Sequence, residues 1–171
     1  IVAATISFKE AQPIRIISAY MPNGQDPASD KFQYKLAWLQ ALQAWLRDEL
    51  ETYPRLALLG DFNIAPEDQD VHDPKAWEGQ NLVSPQEREQ FQRLIQLGLC
   101  DSFRLFEQAP KSYSWWDYRM NSFKRNAGVR IDHVLLSAPL VTACTECIID
   151  TEPRRNEQPS DHTPVVATLR T

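Results

Sequence analysis

Five polar residues of this sequence could together perform hydrolytic chemistry on a phosphate ester. Each lies beside an apolar, strand-like run of the chain, and the set comprises Asp61, Asn63, Asp132, Asp161 and His162. Carboxylates hold hard divalent cations such as Mg²⁺, which polarise a phosphate and stabilise a leaving oxygen. An Asp can deprotonate an attacking water, and an Asp–His pair fixes the imidazole tautomer and favours its charged form. Because strand ends within one sheet lie close together, we expect these side chains to converge on one site.

Each of these residues, taken alone, also has a simpler structural interpretation. An Asp that follows a strand is usually a turn residue or a helix cap. A single His more often supports the structure than the chemistry. The combination of the residues therefore carries the prediction.

The stretch 111–130 combines basic and aromatic side chains. Its five basic residues and one acidic residue give a local charge of +4, in a chain whose net charge is −5. Five aromatic residues are interleaved with them: Tyr113, Trp115, Trp116, Tyr118 and Phe123. Cations contact phosphates and aromatic rings stack on sugars or bases, which favours a nucleic-acid surface. A solvated loop that buries its aromatic residues has the same composition, so the stretch alone leaves both interpretations open.

Two helices and several strands are predicted to position these groups. Apolar residues recur at three- and four-residue spacing from Asp30 to Leu50, which predicts an amphipathic helix. Ser84 and Glu87 form a capping box at the start of a second helix, which Gly98 ends. Strand-like runs are predicted at 1–7, 14–20, 56–59, 131–136, 141–149 and 165–169.

The composition indicates one globular domain spanning residues 1–171. The chain is 43% hydrophobic and 24% charged, and it contains no apolar run long enough to cross a membrane. Three cysteines are too few for a disulfide framework and lead us to expect a reducing cytoplasm. Cys144 and Cys147 have the spacing of redox and zinc sites. They lie within one predicted strand, where residues three apart point to opposite faces, so we interpret them as structural.

Five segments resemble, in order and spacing, exonuclease III and related abasic endonucleases. The segments read SAYMPNG at 18–24, GDFNIAP at 60–66, YSWWDYR at 113–119, RIDH at 130–133 and PSDHTPV at 159–165. The resemblance extends over essentially the whole chain. It implies a four-layer α/β sandwich of the DNase I-like, endonuclease/exonuclease/phosphatase type, which lacks roughly the N-terminal third of the family's fold.

The resemblance also implies catalytic and metal-binding roles. Asp61 would position and activate the attacking water, and Asn63 would hold that water or a phosphate oxygen. Asp132 would orient His162, and His162 would bind and stabilise the phosphate. Asp161 would bind the metal together with Asp61 and Asn63. The implied cofactor is Mg²⁺, with Mn²⁺ as an alternative.

Further positions would contact the substrate. Tyr20 would join the catalytic set by contacting the scissile phosphate, together with Asn23. The other implied substrate-binding residues are Trp115, Arg119, Val129 and Ile131. Among them, Trp115, Val129 and Ile131 would line a small apolar pocket for a flipped-out abasic sugar.

The implied activity is Mg²⁺-dependent 3′→5′ exonuclease or abasic-site endonuclease action on double-stranded DNA, by a protein that is monomeric at full length and binds no membrane. Two alternatives stay open. One is a same-fold enzyme that acts on a small phosphate ester, and the other is a catalytically incomplete DNA-binding module.

The family's N-terminal Asn motif and its metal-binding Glu do not occur in this sequence. We therefore expect an incomplete metal site and poor stability or self-association of these residues alone.

Overall fold

The structure is a computed structural model that describes residues 1–170. A five-stranded sheet forms its centre. Its strands are β1 Val2–Ile6, β2 Ile14–Ser18, β3 Leu56–Asp61, β4 Leu99–Asp101 and β5 Asp132–Ser137. They lie in the order β1-β2-β3-β5-β4, and only β2 and β3 pair in parallel. Two further strands, β6 Cys144–Ile149 and β7 Val165–Leu169, pair antiparallel in a second sheet.

Two long helices begin where the sequence predicts them. Residues 1–170 contain four α-helices: α1 Asp30–Thr52, α2 Pro74–Trp77, α3 Pro85–Gln96 and α4 Ala138–Val141. The Ser29 hydroxyl caps α1 by accepting a hydrogen bond from the Phe32 amide. The predicted capping box is confirmed at α3, where the Ser84 and Glu87 side chains satisfy each other's backbone N–H groups. No helix among residues 1–170 is long and apolar enough to cross a membrane.

The elements stack in layers around two hydrophobic clusters. Helices α1 and α3 cover one face of the five-stranded sheet, and leucines of α1 pack there against the apolar run of β3. The other face packs against the β6–β7 sheet through Val134 and Leu136 of β5 and Ala167 and Leu169 of β7. This mixed α/β arrangement confirms the expected fold class. Both helices longer than one turn in the described chain lie on the same side, so residues 1–170 form three of the four expected layers.

One predicted strand, 141–149, was wrong at its start. Val141 is the last residue of the helical turn α4, and the strand begins only at Cys144. Pro139 occupies the first turn of α4, where its lack of an N–H donor is tolerated and its fixed φ favours a helix.

Cys147 is buried and accepts a hydrogen bond from the Ser102 hydroxyl. Burial raises the pKa of the Cys147 thiol to about 11, which disfavours the thiolate needed for redox or metal chemistry.

The end of β3 depends on a glycine for its close approach to the preceding loop. The Ala19 amide donates to Leu59 O at 2.9 Å, and the Met21 amide donates to Asp61 O at 2.9 Å. Gly60 lies between these contacts with φ +133°, and a Cβ there would collide with the Ala19 carbonyl oxygen. A residue with a side chain would therefore push apart the two segments that carry Asn23 and Asp61.

Replacing Gly60 with Ala should lower the free energy of unfolding by about 3 kcal/mol, because the new methyl group meets backbone atoms that cannot move independently. Gly98→Ala provides a matched control. Gly98 also has a positive φ, +95°, but a Cβ there would meet nothing within 4 Å. It should cost only about 1 kcal/mol. Urea denaturation of both variants measures the difference, and equal losses would contradict the steric explanation.

Candidate active site

Two carboxylates face each other at the ends of two adjacent interior strands of the central sheet. The antiparallel register of β3 and β5 places Asp61 directly opposite Asp132. Burial, and then the negative charge of Asp132, raise the pKa of Asp61 to about 6. A carboxylate with this pKa can accept a proton near neutral pH, which is the property of a general base.

His162 lies between these two carboxylates. Its Nδ1 is 2.9 Å from Asp132 Oδ2, and its Nε2 is 4.0 Å from Asp61 Oδ2. Burial lowers the pKa of His162, but the hydrogen bond to Asp132 and the charges of Asp132, Asp61 and Asp161 outweigh burial and raise the pKa overall. The imidazole is therefore held in a form that favours a positive charge, as the sequence led us to expect.

Backbone pairing of the segment 114–116 brings His162 to the sheet. The Trp115 amide donates to Val129 O at 3.0 Å, and on the other side the Thr163 amide donates to Ser114 O at 2.8 Å. The Trp116 amide also donates to Asp161 O at 3.0 Å. The motifs at 113–119, 130–133 and 159–165 are therefore adjacent in space, as one site requires.

Ser114 supports Asp132 and was not identified from the sequence as a site residue. Its hydroxyl is fully buried and donates to Asp132 Oδ2 at 2.7 Å. The Ser114 hydroxyl oxygen accepts hydrogen bonds from the amides of Ile131 at 3.1 Å and Asp132 at 3.0 Å. The hydroxyl thus fixes both the carboxylate and the start of β5. The only signal for this role was its position inside the YSWWDYR motif.

Asn63 adopts a left-handed backbone conformation, φ +50°, that directs it back toward Asp61. Its amide N–H donates to Asp61 Oδ1 at 2.8 Å, and its Nδ2 donates to Asp61 Oδ2 at 3.0 Å and to Met21 O at 3.0 Å. Asn tolerates this conformation better than most residues with a side chain. Asn23 Nδ2 in turn donates to Asn63 Oδ1 at 2.7 Å, so both predicted amides belong to the cluster.

A buried ion pair lies directly behind these amides. Lys35 Nζ pairs with the Glu87 carboxylate, and both side chains are fully excluded from solvent. Lys35 also donates to Asn63 O at 2.7 Å and to Asn23 O at 3.1 Å. Burial lowers the pKa of Lys35, and the facing Glu87 opposes that shift. The sequence signal for this pair is a Lys within the apolar stripe of α1, four residues before Leu39.

The carboxylates at the site suit a divalent cation but do not complete its ligand set. Trp115 Nε1 donates to Asp161 Oδ2 at 3.0 Å, which leaves the other oxygen of Asp161 for a ligand. Among residues 1–170, no group of three or more His, Cys, Asp or Glu side chains is arranged to hold a metal ion. Mg²⁺ commonly keeps several waters and takes only one or two protein carboxylates, together with substrate phosphate. The donor chemistry of Asp161, Asp61 and Asn63 therefore fits Mg²⁺.

The remaining expected substrate-binding residues lie in different environments. Tyr20 is 66% exposed, and the amides of its two chain neighbours donate to the end of β3. Arg119 projects into solvent and pairs with Asp117 at 2.6 Å, apart from the cluster. Trp115 is partly buried against a hydrophobic cluster that contains Val129 and Ile131. Val129 and Ile131 are almost fully buried, so here they support the Trp115 ring, and their contact with a sugar stays a prediction.

Breaking the buried ion pair should destabilise the fold strongly. Lys35→Met and Glu87→Gln should each lower the free energy of unfolding by about 3–5 kcal/mol, because each leaves the other charge buried without a partner. The double variant should lose less than the sum of the single variants. Lys31→Met, which removes an exposed Lys of the same helix, should stay within about 0.5 kcal/mol. Urea denaturation gives these values, and strictly additive losses would show that the two residues do not act as a pair.

The raised pKa of His162 should depend on Asp132. Asp132→Asn should lower that pKa in the metal-free protein, because the charged acceptor disappears while burial remains. In the unchanged protein, this ion pair contributes stability in full below the ordinary His pKa of 6.5, and the contribution is lost as the pH rises through the higher folded-state value. NMR titration of the imidazole measures the shift. Asp117→Asn is the control, since that carboxylate pairs with Arg119, and an unshifted His162 in Asp132→Asn would refute the assignment.

The chain is similar to known nucleases over nearly all of its length. It is 37% identical over 165 residues to exodeoxyribonuclease III of Haemophilus influenzae, an alignment that covers 92% of this chain and 62% of the relative. A 3′ phosphatase from Neisseria, solved with a product DNA hairpin, matches with a TM-score of 0.93 and 43% identity and covers 99% of this chain and 64% of that one. An AP endonuclease from Archaeoglobus fulgidus matches with a TM-score of 0.87 and 34% identity over 92% of this chain and 62% of that one.

The chain thus spans somewhat less than two thirds of the length of these relatives. The model of the endonuclease/exonuclease/phosphatase family matches residues 5–162, an interval that contains every residue of the cluster around Asp61 and His162. Because that match covers most of the sequence, and because the fold agrees with solved structures of nucleases, the protein belongs to the endonuclease/exonuclease/phosphatase family.

Proposed function

We propose that this protein is a Mg²⁺-dependent DNA-repair phosphodiesterase that acts at abasic sites or 3′ ends of duplex DNA. The observation that carries the proposal is the placement of His162 between Asp132 and Asp61, with nitrogen-to-oxygen distances of 2.9 and 4.0 Å. An imidazolium next to a base of raised pKa is suited to hold a phosphate while a water attacks it.

Each side chain of the cluster has a distinct part in this reaction. Asp61 accepts the proton of the attacking water, and its carboxylate is held in orientation by two hydrogen bonds from Asn63. The water oxygen bonds to phosphorus as the P–O bond to the leaving oxygen breaks, and the leaving alkoxide takes a proton from solvent. His162 donates to a phosphate oxygen, while Asp132 keeps its ring in place. Asp161, with Asp61 and Asn63, would hold Mg²⁺, which when bound neutralises charge that develops on the phosphate. Family members use divalent metal ions, and the choice of Mg²⁺ over Mn²⁺ is part of the proposal.

Exposed cations of the stretch 111–130 favour DNA over a small phosphate ester as the substrate. Within the stretch 111–130, Arg119, Lys124 and Arg125 are exposed, and so are the large side chains of Tyr118 and Met120. A small ester would need only the central cluster, whereas an extended polyanion uses such cations along its backbone. The Neisseria relative was solved with a DNA hairpin, which supports the same substrate class.

The proposal extends to the domain organisation, the oligomeric state and the cellular location of the protein. We propose that residues 1–171 act as one catalytic domain of a protein that is monomeric at full length. A cytoplasmic location fits three free cysteines, Cys100, Cys144 and Cys147, since reducing compartments keep thiols unpaired.

The test uses the full-length gene product and three end-labelled duplexes: one with an abasic site, one with a recessed 3′ end and one with a 3′-phosphate. We expect cleavage of at least one duplex with Mg²⁺ and none with EDTA. Asp161→Ala and His162→Ala should each lower kcat by about 10²–10⁴-fold. Asp48→Ala, which removes an exposed carboxylate of α1, is the matched control and should leave kcat unchanged.

The same assay separates the alternatives. Cleavage that persists in both site variants would move the chemistry to other residues. Turnover of a soluble phosphate ester without any cleavage of DNA would assign a same-fold phosphatase. Binding of duplex DNA with no Mg²⁺-dependent cleavage would assign a non-catalytic DNA-binding module.

A further inference from the structure

A chain of three asparagine amides leads from a surface loop to the catalytic carboxylate. Asn81 Nδ2 donates to Asn23 Oδ1 at 2.9 Å. Asn23 Nδ2 donates to Asn63 Oδ1 at 2.7 Å, and Asn63 Nδ2 donates to Asp61 Oδ2 at 3.0 Å. Asn81 is the outermost member, and neither the family motifs nor the reaction described above uses it.

Fixed backbone groups determine the orientation of these amides. The Gln25 backbone N–H, which can only donate, lies 3.1 Å from Asn23 Oδ1. The Met21 carbonyl, which can only accept, lies 3.0 Å from Asn63 Nδ2. The oxygen of Asn23 must therefore face Gln25 and the nitrogen of Asn63 must face Met21. With both flips fixed, Asn81 can contact Asn23 only by donating to its oxygen.

The oxygen of Asn81 provides an independent observation. Asn81 Oδ1 is buried and has no hydrogen-bond partner in the described part of the chain. An unpaired buried acceptor is unfavourable, and groups of this kind are retained where another requirement decides their orientation. Here the requirement is the donor bond to Asn23, since a flipped amide would place two oxygens against each other.

The backbone around Asn81 is held firmly in a strained conformation. Its neighbour Leu82 has φ +74°, which is rare for a residue with a large side chain. The Leu82 amide donates to Glu87 Oε1 at 3.1 Å, and the Leu82 carbonyl accepts the Ala65 amide at 2.7 Å. Glu87 is also the partner of Lys35, which holds the backbone of Asn23. The donor and the acceptor of the Asn81–Asn23 bond are thus attached to one buried ion pair.

We propose that Asn81 is a positioning residue for the catalytic centre. Its amide locks the Asn23 side chain, so that the second N–H of Asn23, which has no partner among residues 1–170, stays directed at a bound phosphate. Asn63 is held by the same chain of bonds and keeps Asp61 oriented toward the water. This inference rests on the proposed nuclease function, because it assigns Asn81 a part in that reaction.

The test is a double-mutant cycle in the full-length protein, assayed on whichever duplex the wild type cleaves. Asn81→Ala should lower kcat about tenfold, the effect of one ordinary hydrogen bond, with KM for DNA and the unfolding midpoint unchanged. In an Asn23→Ala background, Asn81→Ala should cause no further loss, because the group it acts through is gone. Gln80→Ala is the matched control, since its amide donates to Ala76 O at 2.5 Å and not to the catalytic cluster.

Several outcomes would overturn the proposal. They are an unchanged kcat in Asn81→Ala, a loss of kcat that is undiminished in the Asn23→Ala background, and an equal loss in Gln80→Ala. A fall in the unfolding midpoint that accounts for the lost activity would assign Asn81 a structural role only.

A second readout requires no substrate and separates this proposal from the proposed function. In metal-free protein, the side-chain NH₂ resonances of Asn23 and Asn63 should shift in Asn81→Ala and stay in place in Gln80→Ala. If the wild type cleaves no DNA, the nuclease function fails, while shifted resonances still support the positioning of Asn23 by Asn81. Unshifted resonances overturn the positioning, whatever the activity.

Discussion

The site depends on one constraint: two negatively charged side chains, Asp61 and Asp132, lie directly opposite each other on paired strands. Asp61 and Asp132 are paired across neighbouring strands, where two carboxylates directly opposite each other destabilise a sheet. The surrounding groups counter this repulsion. His162 bridges the pair with an imidazole that favours its cation, and Ser114 donates a hydroxyl proton to Asp132. Asn63 donates twice to Asp61. Burial and the concentrated negative charge raise the pKa of Asp61, and at His162 the same charge outweighs burial and raises the pKa. In the proposed reaction, the same charge also attracts a divalent cation.

Behind this surface, the Lys35–Glu87 pair connects elements that are distant in sequence. It joins α1 to α3 and fastens the backbones of Asn23, Asn63 and Leu82. Burying two charges is expensive, and an apolar pair of similar volume would often be at least as stable. An apolar pair could not, however, bind two carbonyls and one amide of separate loops. The ion pair therefore serves mainly to fix the geometry of the loops, and the desolvation of its two charges is the free-energy cost of that role.

The residues proposed to carry the chemistry were easier to predict from the sequence than the residues that hold them in place. The strand pattern accounts for Asp61 and Asp132, which lie at the ends of neighbouring strands of one sheet. His162 precedes a strand of the second sheet, and it reaches them because the segment 114–116 pairs with both neighbouring segments. Ser114 and Lys35 were missed because their roles depend on contacts across the fold, which no local pattern encodes. Burial is likewise not encoded locally: Val129 and Ile131 are buried in the cluster against which Trp115 packs, and their contact with a sugar stays a prediction. Local signals such as the capping box of α3 were reliable because neighbouring residues alone determine them.

Three residues at or next to this centre have left-handed backbone conformations. Gly60, Asn63 and Leu82 all have positive φ, and each lies within or next to a segment that carries a catalytic or supporting side chain. Such conformations persist only where the surroundings determine them fully. Here backbone hydrogen bonds flank Gly60, and the carboxylates of Asp61 and Glu87 accept the amides of Asn63 and Leu82. The free energy for arranging the site is therefore spent during folding. In the proposed reaction, amides and carboxylates that are fixed in this way need little reorganisation when the substrate arrives, and preorganised dipoles stabilise developing charge most effectively.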